Sequence, residues 1–92
     1  MIRGFRSRSL ERLWEKNDGR GLDPQHLAKL RQLLDLLEHA REPEDMNVPK
    51  LRFHKLTGHN PSRFSVHVNA NWRVTFSFVG EDADAIDYED YH

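Results

Sequence analysis

The stretch RFSVHVNANWRVTFSF, residues 63–78, decides the fold. In Arg63-Phe64-Ser65-Val66-His67-Val68 and again in Trp72 to Phe78, apolar and polar side chains alternate with the period of an extended strand. That spacing puts Phe64, Val66 and Val68 on one face, and Trp72, Val74, Phe76 and Phe78 on the same face of the next strand. Arg63, Ser65 and His67 fall on the opposite face beside Arg73, Thr75 and Ser77, a set that reads as a polar outer surface, solvated at Thr75 and Ser77. Between the two runs, Asn69-Ala70-Asn71 predicts a tight connection, because asparagine tolerates positive φ.

The pattern extends in both directions from this hairpin. Downstream, Gly80-Glu81-Asp82 turns the chain and Ala83 to Tyr88 supplies a last strand; upstream, period two begins at Lys50 and places His54 at the end of a strand. Residues 41 to 49 contain two prolines and connect this half to a helical one. There, Asp23-Pro24 starts a helix whose Leu27, Leu30, Leu34 and Leu37 recur at helical spacing, widened by Leu33 and Leu36, and which ends near His39 or Ala40. So wide a leucine stripe reads as the cover of a sheet in preference to a dimer seam. An earlier helix runs from an N-cap at Ser9 to Lys16, with Leu10, Leu13 and Trp14 on one face and Asn17-Asp18-Gly19 as its end. Ile2 to Phe5 reads as a short first strand. The expected class is α+β: two N-terminal helices packed on a small antiparallel sheet, in one domain spanning residues 1–92.

Composition narrows the chemistry. The chain is 37% hydrophobic and 32% charged, as expected of a globular domain with a well-solvated exterior. It has no cysteine, which excludes disulfide frameworks, thiolate zinc sites and thiol nucleophiles, and suits a cytoplasmic setting. No apolar run is long enough to span a bilayer, so no membrane partner is expected. The net charge of −1 hides an asymmetry. Residues 47–80 contain no Asp or Glu but carry Lys50, Arg52, Lys55, Arg63 and Arg73 with His54, His59 and His67, after which Glu81, Asp82, Asp84, Asp87, Glu89 and Asp90 reverse the sign. The first stretch suits phosphate, and an arginine's planar fork can give two hydrogen bonds to one oxyanion.

Six histidines raise the question of a metal, but no His-Glu-x-x-His is present and no carboxylate lies near His54 in sequence, so no metal site is expected. His26 and His39, on or near the long helix, read as surface residues. His54 beside Lys55, and His92 beside Tyr91 at the end of the chain, read as proton carriers, since an imidazole titrates near neutrality.

Three segments in this order, FHKLTG at 53–58, RFSVHVNANWRVTFSF at 63–78 and DYEDYH at 87–92, resemble HigB-type toxins of the RelE/ParE superfamily. MIRGFRS at the start and the helical stretch from Leu10 to Ala40 are similar to that family too, so the likeness covers nearly the whole chain. The resemblance implies a RelE-like fold and a ribosome-dependent, metal-independent endoribonuclease that cuts translated messenger RNA without a cofactor. It also implies a HigA-type antitoxin with a helix-turn-helix domain, which contacts operator DNA and brings the toxin to it. By the same resemblance His54, Arg73, Tyr91 and His92 are the catalytic set, and Lys55, Arg63, Asn71 and Asp90 bind RNA or its phosphates. Many relatives have H-P-L-K-G where this chain has His54-Lys55-Leu56-Thr57-Gly58, so a family lysine is replaced by Thr57, leaving Lys55 or Arg63 to supply its charge. Two other readings stay open: a ParE-like toxin that binds DNA gyrase without catalysis, and an inactive module that serves only to bind the antitoxin.

Overall fold

In a computed structural model, residues 1–69 and 71–90 are described. Helix α1 spans Arg8–Lys16 and α2 spans Leu27–His39, followed by strands β1 (His54–Leu56), β2 (Arg63–His67), β3 (Trp72–Val79) and β4 (Asp82–Asp90). The four strands form an antiparallel meander in the order β1-β2-β3-β4. The expected class is met, and the leucine stripe covers the sheet: Leu30, Leu33, Leu34 and Leu37 are fully buried in one core with Leu10, Leu13, Val66, Val74, Phe76 and Ile86.

Local chemistry sets the helix ends. The N-cap of α1 is Ser7 and not Ser9; its hydroxyl accepts the Leu10 N–H at 3.1 Å, and Asn17 closes the helix in the left-handed region at φ 52°. Asp23 caps a single 3-10 turn, Pro24–His26, through its carboxylate and the Gln25 N–H, and α2 proper begins one turn later than its Asp-Pro signal suggests. A second 3-10 turn, Pro43–Met46, lies in the connection and buries Met46. Residues 2–5 are not a full strand but make two parallel bridges, Ile2 to Ala83 and Phe5 to Ile86, which cover the outer edge of β4.

Strand β4 contains an irregularity that the sequence pattern does not announce. Its register with β3 shifts between Thr75↔Asp87 and Ser77↔Asp84, so β4 carries one extra residue there, and Ala85 sits at φ 48°. The bulge lets Ala83 and Ile86, three apart, both face the core, while Asp84, Asp87 and Glu89 share the polar face.

Candidate functional site

Cross-strand pairing gathers the polar residues into rows. His54, Ser65, Thr75 and Asp87 pair in succession across the four strands, and His67, Arg73 and Glu89 make the neighbouring row. At the ordinary strand spacing of about 4.8 Å and a two-residue step of about 6.7 Å, the His54 and Arg73 backbones stand about 12 Å apart, within joint reach of one nucleotide. Both side chains leave the same face of the sheet, away from the helices.

The imidazole of His54 is exposed and oriented by two contacts. Its Nδ1 lies 3.0 Å from the Arg52 carbonyl, which can only accept, so Nδ1 carries the proton. Nε2 is then a lone pair, and the Ser65 hydroxyl donates to it at 3.3 Å. Arg73 is partly buried, and its Nη2 is 3.9 Å from the Glu89 carboxylate directly across the strand pair. The other Glu89 oxygen accepts the Thr75 hydroxyl proton. Glu89 was not expected in the site, and its role follows from the bulge, which brings it opposite Arg73.

The polar face is not a solvated outer surface as the alternation suggested. Thr75 and Ser77 are buried, and so is Arg63, at 3% exposure. The Arg63 guanidinium donates through Nη2 to Thr75 Oγ1 at 2.9 Å and to the Ala85 carbonyl at 2.8 Å, so it clasps the bulge from beneath. Burial lowers its pKa, with Arg6 adding to the effect and Glu89, Asp87 and Asp84 opposing it. Lys55 pairs with Phe64 and so lies on the other face from His54. Of the two arginines that β2 and β3 send to this face, Arg63 is enclosed and Arg73 is partly exposed.

Asn71 is exposed in the hairpin, its backbone N–H bonded to the Asn69 side chain at 3.0 Å, and Asp90, exposed and paired with Trp72, ends β4. Tyr91 and His92 lie outside the described residues. His67 is half-buried opposite Arg73; burial, and next the charges of Arg52 and Lys29, lower its pKa. His26, read from sequence as a surface residue, is 5% exposed instead, bonded to Tyr88 and Asn69. Among the described residues no three His, Asp or Glu side chains are grouped as a metal site, and no helix is long and apolar enough to cross a membrane. A groove of about 250 Å³ lies on the helical side, lined by Leu13, Trp14, Asn17, Arg31, Leu34 and Asp35, and does not open on the polar face.

Comparison with known proteins agrees with this architecture over the whole chain. A family profile described as the RelE-like toxin of the type II toxin-antitoxin system HigB matches residues 3–92. Endoribonuclease HigB of Proteus vulgaris is 35% identical over 92 residues, covering 100% of both chains. This protein belongs to the HigB-like family of RelE-like toxins of type II toxin-antitoxin systems.

Proposed function

We propose that the protein is an endoribonuclease that cuts messenger RNA on the ribosome, held in check by a HigA-type antitoxin. The observation that carries this reading is the pairing of an exposed imidazole, His54, oriented by Arg52 and Ser65 with its lone pair on Nε2, with a partly buried arginine one row away on the same face. The activity named for the Proteus vulgaris relative supports it.

In the proposed reaction the ribose 2′-hydroxyl attacks the adjacent phosphorus. His54 Nε2 takes the hydroxyl proton as the new P–O2′ bond forms. The P–O5′ bond breaks, and His92 gives a proton to the departing O5′, leaving a 2′,3′-cyclic phosphate and a 5′-hydroxyl. Arg73 donates to the non-bridging oxygens, where charge grows in the transition state. Tyr91 stacks on or orients a nucleotide, and Asn71 and Asp90 flank the strand. The groups assigned to Tyr91 and His92 come from the family resemblance.

Dependence on the ribosome has a physical reason. The net charge is −1, and the polar face sets Asp84, Asp87 and Glu89 against few cations, so counterion release gives little affinity for free RNA. A ribosome-bound message is presented already ordered, and contacts elsewhere on the ribosome can hold the toxin. The test is mapping of cellular 5′ ends after brief induction in cells lacking the antitoxin. New ends inside translated frames, absent with Arg73→Ala, are expected. Growth arrest without new ends would overturn the nuclease and direct attention to a binding target such as gyrase.

A further inference from the structure

His26 is a buried imidazole that the mechanism above does not use. Its Nδ1 is 2.5 Å from the Tyr88 hydroxyl and its Nε2 is 2.5 Å from Asn69 Nδ2. The orientation of the Asn69 amide is dictated by its oxygen, which accepts the backbone N–H groups of Asn71 at 3.0 Å and Trp72 at 3.1 Å. The amide nitrogen must therefore face the imidazole. It follows that Nε2 accepts, and that Nδ1 carries the proton and donates to the Tyr88 oxygen. The ring also packs on Trp72 and Tyr88, with centroids 6.2 and 6.0 Å away, and those two rings stack on each other at 4.4 Å.

Each of these neighbours adjoins the candidate site in sequence. Trp72 precedes Arg73, Asn69 opens the hairpin that carries Asn71, and Tyr88 stands between Asp87 and Glu89, two residues before Asp90. We infer that His26 is a positioning residue: from the apolar side of the sheet it locks the β2–β3 hairpin to the end of β4, and so fixes where Arg73 stands relative to Glu89 and Asp90. The inference rests on the endoribonuclease reading for its effect on turnover.

A packing role and a positioning role make different demands. Packing needs a flat ring, which phenylalanine supplies. Positioning needs a donor towards Tyr88 and an acceptor towards Asn69, which a glutamine amide supplies. His26→Phe removes the ring nitrogens that bond the part-buried Tyr88 hydroxyl and the Asn69 amide, and so frees the hairpin. Since a misplacement of about 1 Å costs about 10²-fold in rate, kcat should fall about 10- to 100-fold while KM, set by contacts at the surface, changes less than about 3-fold. His26→Gln should return kcat to within about 5-fold of wild type.

The experiment is single-turnover cleavage of a defined message on programmed ribosomes by wild type, His26→Phe, His26→Gln, Tyr88→Phe and Arg73→Ala, alongside ¹H–¹⁵N spectra that report the Arg73 Nε–H. The expected result is a kcat loss and a displaced Arg73 signal in His26→Phe, both reversed in His26→Gln. Wild-type kcat with an unmoved Arg73 signal in His26→Phe would overturn the inference. Should His26→Phe fail to fold, Tyr88→Phe decides, since it keeps the ring stack and removes only the oxygen to which His26 donates; a normal kcat and an unmoved signal there would likewise overturn it. If wild type leaves the ribosome-held message uncut while His26→Phe still displaces the Arg73 signal, the nuclease reading falls and the positioning role stands.

Discussion

Arg63 and Arg73 leave adjacent strands on the same face, and ten residues of sequence separate an enclosed cation from a partly exposed one. Arg63 is enclosed, with Nη2 bonded to Thr75 and Ala85, whereas Arg73 lies beside the half-exposed Glu89 and within reach of His54. Their substitutions should separate accordingly. Arg73→Ala should lose about 10²-fold or more in cleavage rate, the cost of a well-placed stabilising donor, with thermal stability nearly unchanged. Arg63→Met should lose about 1–3 kcal/mol of stability in urea melts, because two hydrogen bonds across three strands go with it. His67 makes a third prediction. Its pKa is lowered in the fold, so just below its ordinary value the unfolded chain binds a proton that the folded chain refuses. Stability should therefore fall as pH drops from neutrality to the folded pKa and level off beneath it. His67→Gln should flatten that decline in melts taken across the range.

At the scale of elements, the bulge in β4 does for the site what the regular alternation of β2 and β3 cannot: it moves Glu89 opposite Arg73 while keeping Ala83, Ile86 and Tyr88 on the core side. Ala85 holds the bulge at φ 48°, a region that disfavours any residue with a Cβ. Ala85→Gly should leave stability level or slightly raised, whereas Ala83→Gly in the regular part of the strand should lose about 1 kcal/mol; thermal melts of the two distinguish them. The sequence predicted elements well where one period ran uninterrupted, as in the leucines of α2 and the alternation of β3. It did not announce the bulge, because an inserted residue leaves no local mark when Ala, Asp and Ile alternate irregularly around it. Nor did it reveal that Thr75 and Ser77 are buried, since their hydroxyls are satisfied by neighbours on other strands. His26 is the same lesson at longer range: its partners are 43 and 62 residues away, and nothing near position 26 signals them.

Over the whole molecule, the helices and the candidate site occupy opposite sides of one sheet. The leucine core holds the β-meander flat against α2, and the other face is free to carry His54 and Arg73 at a fixed separation. The family and its order of motifs could be read from sequence; which cations are enclosed and which lie on the His54 face could not, because Lys55 and Arg63 differ from Arg73 only in register and enclosure. With a net charge of −1, the protein has little general attraction for polyanions, so the proposed activity needs its affinity from the ribosome. The most direct test incubates the purified protein, and its Arg73→Ala variant, with one message either free or held on translating ribosomes. The account predicts cleavage on ribosomes alone, with 2′,3′-cyclic phosphate ends, and loss of about 10²-fold or more with the variant. Equal cutting of free and ribosome-held RNA would contradict the ribosome dependence, and an undiminished Arg73→Ala rate would contradict the site.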